Sequence, residues 1–241
     1  DGTKWEQSTD QAPWAARYGH ALQALAGPAR EDQPGVLVLI GGATYTGAGD
    51  IFLNDVWTSM DGSHWVLQTA NASWSPRAGH AATAINRNGV TQLLIAGGQD
   101  MTGLFNDVWA STDGKVWVQM TPSAPWAARS WHTLIAVQGH LLLLGGHVSD
   151  ELDADVDEVL RRDVWSSVDG ANWELASPGA AFAGRERLAA SAWRGTMALV
   201  VGGRGEAGNL GDIWGTPGGP GTDQGGLPYL DSAGRRNPDL D

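Results

Sequence analysis

The sequence predicts an all-β fold in which four blades of four antiparallel strands stand round an axis as a β-propeller. Three observations carry the prediction. A phrase with tryptophans eight residues apart occurs three times, as "NDVWTSMDGSHW" (54–65), "NDVWASTDGKVW" (106–117) and "RDVWSSVDGANW" (162–173). An apolar run ending in Gly-Gly occurs four times, at Gly41-Gly42, Gly97-Gly98, Gly145-Gly146 and Gly202-Gly203, at spacings of 56, 48 and 57 residues. A segment carrying an arginine leads into each unit, at Arg17, Arg77, Arg129 and Arg185. Repetition at such a period marks an architecture in which one supersecondary unit stacks on the next.

Each unit reads as four short strands. The first follows the arginine segment, as in "HTLIAV" (132–137). A turn such as "NRNG" (86–89) or "QG" (138–139) leads to the second. That strand is apolar at nearly every position, which suits burial on both faces. A loop of varying length precedes the third strand, with its aspartate two before a tryptophan at Asp55, Asp107, Asp163 and Asp212. An Asp-Gly pair, at Asp61, Asp113 and Asp169, then reverses the chain into the fourth. As a two-residue turn it sets Thr58 opposite Trp65 and Trp57 opposite Val66. Cross-strand partners share a face, so the two tryptophans of a unit are expected on opposite faces. A sheet with a tryptophan on each face packs between two others, which is the arrangement of propeller blades.

The fourth unit reaches Trp214 without a fourth strand, and the chain opens on the missing half, "DGTKW" (1–5). Residues 4–8 are therefore expected to pair beside 212–214, completing the last blade and closing the ring. Closure of that kind removes free sheet edges. Residues 1–214 then form the propeller, and residues 215–241, rich in Gly, Pro and Asp, an irregular tail.

These landmarks resemble the kelch-repeat family. Its signature is a hydrophobic run into Gly-Gly, then Asn-Asp-Leu-Trp-x-Tyr-Asp, a further Trp, and Pro-x-x-Arg before the next blade. The chain matches the Gly-Gly, the Asn-Asp-Val-Trp, the fourth-strand Trp and the Arg over about residues 1 to 214. It departs at the family's tyrosine, where Ser59, Ser111 and Ser167 stand, and its third-to-fourth turn is one residue shorter. The resemblance implies first strands that line a central channel, with the arginine position opening toward its mouth. It does not choose between binding protein and enzyme, since the fold hosts both. Kelch-like galactose oxidases need a cysteine cross-linked to a copper-binding tyrosine, and the absence of cysteine excludes that activity. No cofactor is expected.

Composition narrows the classes further. At 42% hydrophobic and 17% charged residues, 241 residues supply an ordinary globular core. The longest apolar runs, "VLVLI" (36–40) and "LLLL" (141–144), are too short to span a bilayer. A net charge of -12 argues against nucleic acid and anionic lipid as partners. The lack of cysteine rules out thiolate chemistry but fits either redox compartment. The chain starts at Asp1 without methionine and so reads as processed or partial, any targeting segment being out of view. An extracellular location is slightly favoured.

Candidate site residues divide by whether they follow the repeat. His20, His80 and His132 recur in register, as structural residues do, whereas an active site must break the pseudo-symmetry. His64, His140 and His147 lie at or near turns and show no metal spacing. Asp153, Asp155 and Asp157 begin like a calcium loop, but Glu158 replaces its glycine and Val164 its bidentate glutamate, so a solvated acidic loop and no metal are expected. Asn71-Ala72-Ser73 is a glycosylation sequon in a loop between blades. Trp14, Trp74, Trp126 and Phe182 sit in equivalent loops, a repetition that favours packing. Trp131 breaks the repeat where Gly19 and Gly79 stand. With Tyr18 and the four arginines Arg17, Arg77, Arg129 and Arg185, it makes the candidate ligand-binding set at the mouth.

The function these features favour is a non-catalytic interaction module that holds a protein or glycan partner through the propeller mouth and blade loops. The alternatives are a carbohydrate-active enzyme, epimerase- or lyase-like, at the same mouth, and a structural subunit of a larger extracellular assembly. An acidic peptide or a carboxylated sugar suits a mouth with local basic charge, one Tyr and one Trp.

Overall fold

The computed structural model describes residues 3–25, 35–148 and 159–217. The chain is all β: four antiparallel sheets arranged as a four-blade β-propeller. Blade 1 is β1 (Ala21–Leu25), β2 (Val36–Tyr45), β3 (Asp50–Ser59) and β4 (Trp65–Thr69). Blade 2 holds β5 (Ala81–Arg87), β6 (Val90–Ala96), a short upper pair β7 (Gln99–Asp100) and β8 (Gly103–Leu104), then β9 (Val108–Ser111) and β10 (Val118–Thr121). Blade 3 follows with β11 (Thr133–Val137), β12 (His140–Leu144), the pair β13 (His147–Val148) and β14 (Val159–Leu160), β15 (Val164–Ser167) and β16 (Glu174–Ser177). Blade 4 has β17 (Ala189–Trp193), β18 (Met197–Val201), the pair β19 (Arg204–Gly205) and β20 (Gly208–Asn209), and β21 (Ile213–Gly215). The innermost strands β1, β5, β11 and β17 neighbour one another in that order.

Local sequence accounts for the hairpins between first and second strands. Asn88-Gly89 and Gln138-Gly139 take positive φ at both positions, the twist that a two-residue hairpin needs. Gly-Gly ends the second strand in blades 2, 3 and 4 and makes a break in register within β2 in blade 1, with both residues at positive φ in every case. A Cβ on Gly98 would stand 2.8 Å from His80 Cβ and 3.0 Å from the Ala78 carbonyl, so close approach as well as conformation requires glycine there.

The turn between third and fourth strands differs from expectation. Ser59 pairs with Trp65, Thr58 with Val66 and Trp57 with Leu67, so the loop spans five residues, 60–64, rather than two. Serine and aspartate cause this. Ser59 Oγ accepts the N–H of Asp61 and of Gly62, and Asp61 Oδ1 accepts the N–H of Ser63 and of His64. The same bonds recur at Ser111 with Asp113 and at Ser167 with Asp169. A register shifted by one residue turns a side chain to the other face. Trp57 and Trp65 therefore share a face, and Trp14 packs edge-on against both, at 5.9 and 4.6 Å between ring centroids.

Every blade thus has a tryptophan face and an aliphatic face, and the core lies in the seams between them. Val38, Ile40 and Val56 of blade 1 meet Leu93, Ile95, Trp109 and Trp117 of blade 2. Leu94, Ala96 and Val108 of blade 2 meet Leu141, Leu143, Trp165 and Trp173 of blade 3. Leu142, Leu144 and Val164 meet Val200 and Phe182 in the third seam. Trp74 and Trp126 are buried in these seams as edge-on partners of Trp117 and Trp173, which explains the repeated aromatic of the linking loops.

The expected closing strand is not formed. The fourth sheet contains β17, β18 and β21 alone among the described residues, residues 3–8 form no strand, and Trp5 is 90% exposed. An antiparallel strand needs a partner already held within hydrogen-bonding distance, and among the described residues no backbone bond ties 3–8 to β21. The acidic insert at 149–158 and the tail beyond residue 217 lie outside the described residues.

Candidate functional site

The four arginines are placed inside the blades. Each guanidinium makes a two-pronged bond to the aspartate of the third strand: Arg17 to Asp55, Arg77 to Asp107, Arg129 to Asp163 and Arg185 to Asp212, at 2.6 to 2.9 Å. Each also donates to the first carbonyl of the Gly-Gly pair, at Gly41, Gly97, Gly145 and Gly202. The Nε–H of each donates to a carbonyl two residues back. The aspartate in turn accepts the indole N–H of the third-strand tryptophan. Burial pulls the Asp55 and Asp163 carboxyls upward, but the bonds from Arg17 and Arg129 outweigh it and hold both below the usual range. Donors spent in this way cannot meet a ligand, so these arginines fasten first strand to third rather than line the mouth.

The axis itself is built by the residues after them. Gly19, Gly79, Trp131 and Arg187 hold one equivalent position, all at positive φ (61°, 64°, 55° and 52°). Their backbones form an inner rim: Gly79 N–H donates to Gly19 O, Trp131 to Gly79 and Arg187 to Trp131, at 2.7 to 2.9 Å. Among the described residues no such bond joins Gly19 N–H to Arg187 O. The Trp131 ring crosses the rim: Cβ atoms on Gly79 and Gly19 would stand 3.0 Å from its Cε2 and Cη2. The guanidinium of Arg187 lies over the same ring at 4.6 Å, a cation–π contact. Trp131 therefore touches all the other blades from blade 3. A bulky residue in the left-handed region costs about 1–3 kcal/mol, and such strain concentrates at functional sites. Tyr18 stands beside the rim, exposed, and desolvation together with the Asp50 carboxylate pushes its phenol up to about 12.

Beneath Trp131 lies a polar chain that sequence reasoning missed. Tyr18, Ala78, Ser130 and Glu186 bridge Ala43, Gln99, His147 and Arg204, so one structural position carries a different side chain in every blade. Ser130 Oγ donates to Gln99 Oε1 at 2.6 Å and lies 3.2 Å from His147 Nε2. His147 Nδ1 lies 2.7 Å from Glu186 Oε2, and Arg204 donates to Glu186 Oε1 at 2.9 Å. Ser130, His147 and Glu186 are buried, and their bonds tie blades 2, 3 and 4 together. The broken symmetry at 130 and 186 was visible in the sequence. That His147, two residues past Gly145, joins them was not, because the pairing depends on two blades meeting.

Serine, histidine and glutamate here have the order of an acyl-transfer triad. The serine hydroxyl, however, is fully buried and already committed to Gln99. Asn71 is exposed in its loop, as a modification site requires.

No family model matches the chain. Relatives are found in "Multiple epidermal growth factor-like domains protein 8" of Rattus norvegicus and Mus musculus, each 30% identical over 130 residues. The Homo sapiens protein of that name is 30% identical over 127 residues. In each case the match takes in 51% of this chain and 4% of the relative, so about half of the chain is similar to a small part of a much longer protein. The resemblance to kelch repeats is therefore one of repeated residues alone, and the comparisons do not place the chain in that family.

Proposed function

We propose that this chain is a non-catalytic, kelch-type interaction module whose contact surface is the rim around Tyr18, Trp131 and Arg187, taking a protein or glycan partner. The observation that carries the reading is Trp131: a strained, partly exposed indole at the one point where all four blades converge, in a position where two blades have glycine. The rim sets a left-handed backbone at all four positions, which Gly19 and Gly79 adopt without steric cost, so building the rim does not require an indole at 131. Aromatic and arginine side chains on a rigid scaffold are typical anchors of an interface. The buried Ser130 favours binding over hydrolysis, because a nucleophile must be reached. Arg17, Arg77, Arg129 and Arg185 are left out of the contact surface, being consumed within the blades.

The test replaces Trp131 and Arg187 by glycine, the residue of the other blades. Partners captured by cross-linking of the native protein and identified by mass spectrometry should be lost with both variants while the melting temperature holds or rises slightly. Retention of every captured partner by the double variant would move the contact surface elsewhere.

A further inference from the structure

The three interior seams show what each face of a blade packs against. In every one, an aliphatic face meets a tryptophan face. Blade 4 repeats the aliphatic face with Leu199, Val201 and Ile213, in the positions of Val38, Ile40 and Val56. Blade 1 repeats the tryptophan face with Leu22, Leu39, Trp57 and Trp65. Neither face is covered by another blade, although Trp14 lies across Trp57 and Trp65 and Leu39 between the strands is 4% exposed. Val201 is 42% and Ile213 44% exposed, where Ile40, Ala96, Val56 and Val108 are each 0%. Leu22 is 52% exposed, where Ala82 and Leu134 in the same position are buried.

At the same place the described residues supply three strands where the other blades have four. β21 has no outer neighbour among the described residues, whereas β3, β9 and β15 are each lined by a fourth strand. The segment fit for that role is 4–8. Trp65, Trp117 and Trp173 each stand sixteen residues before the next first strand, at Ala81, Thr133 and Ala189, and Trp5 stands sixteen before Ala21. By chain order, residues 4–8 belong to the outer edge of whichever blade covers blade 1. They do not reach their own fourth blade.

We propose that two copies of this chain associate head to tail: the aliphatic face of one fourth blade seats on the tryptophan face of the other's first blade, and residues 4–8 of that second copy pair along β21. The contact is the interior seam made a fourth time, and made twice over it closes a two-fold ring in which β21 gains the outer neighbour that β3, β9 and β15 already have. A second copy fits better than an unrelated apolar partner. It supplies the two-tryptophan face and the strand together, already at the spacing that the interior seams use. This surface is separate from the rim around Trp131.

The chain has no cysteine, so engineered cysteines report without background. In the full chain, Glu6→Cys combined with Gly215→Cys, the pair that Val66 and Thr58 make in blade 1, should oxidise to a covalent dimer on a non-reducing gel. Light scattering of the unaltered chain should give twice the 25.4 kDa monomer mass. Val201→Glu with Ile213→Glu, or Leu22→Glu alone, should give a monomer that keeps its near-ultraviolet circular dichroism. A monomer at the highest soluble concentration, a disulfide formed within one chain, or a dimer that persists in both sets of variants would each overturn the proposal.

Discussion

His80 and His132 stand three residues after their arginines and lie wholly inside the protein, their rings under Gly41 and Gly97 of the preceding blade. Burial, with the neighbouring Arg77 and Arg129 adding to it, drives both down to about 3. They are therefore neutral in the folded chain at neutral pH, while in the unfolded chain they titrate near the ordinary value of about 6.5. The unfolded state then binds more protons at every pH between these values. Stability should be constant above about pH 6.5 and fall below it, by about 1.4 kcal/mol per pH unit for each histidine until the folded groups titrate. Leu188 holds the same position in blade 4, against Gly145, so leucine is compatible with the site. The variant His80→Leu with His132→Leu should flatten the acid limb of a Tm-against-pH curve, and an unchanged limb would assign it to other groups. Arginine removal acts through charge instead. Arg129→Ala strands the half-buried Asp163 carboxylate and should cost about 3–5 kcal/mol in chemical denaturation, a loss of folding rather than of binding alone.

Individual elements are held by short side-chain-to-backbone patterns that repeat. The Ser-x-Asp-Gly loop satisfies four backbone N–H groups with one hydroxyl and one carboxylate, and the fourth-strand tryptophan returns its indole N–H to the glycine carbonyl. Ser111→Ala in blade 2 should cost about 1 kcal/mol, since it removes the acceptor for Asp113 and Gly114 while leaving the register to Asp113. Gly98→Ala should cost more, about 1–3 kcal/mol, because φ is 98° and the new Cβ meets backbone and His80 together. Equilibrium denaturation of the two variants checks the order. The existence of these turns was legible from Asp-Gly and Gly-Gly. Their length was not, because Asp-Gly serves a two-residue hairpin and a five-residue aspartate-capped loop equally well. Ser59, Ser111 and Ser167, noticed as a departure from the kelch tyrosine, were the signal that distinguishes them.

At the scale of the molecule, burial depends on which blade a residue occupies as much as on what it is. Leu144 and Val201 close equivalent second strands, yet Leu144 is buried in the third seam and Val201 faces away from the other blades. Leu144→Asp would place an unpaired charge in a seam and should abolish the cooperative transition seen in tryptophan fluorescence. Val201→Asp should leave that transition in place and act on association alone. A comparable loss of folded structure in both variants would mean that the fourth blade is covered within a single chain.

Sequence alone determined the unit, the number of units and the chain positions that alternate between them. These follow from local chemistry: apolar runs that must be buried, glycines where φ is positive, and repeated tryptophans at constant spacing. It also singled out Trp131 as a break in the pattern. Tertiary structure decided everything that depends on one blade meeting another. It drew the four arginines inward, because each has an aspartate thirty or so residues away in its own blade to satisfy it. It joined Ser130, His147 and Glu186, which come from two blades and have no common spacing. It also left Leu22 of the first blade and Val201 and Ile213 of the fourth exposed where their counterparts in the interior seams are buried, because burial at those positions comes from a neighbouring blade.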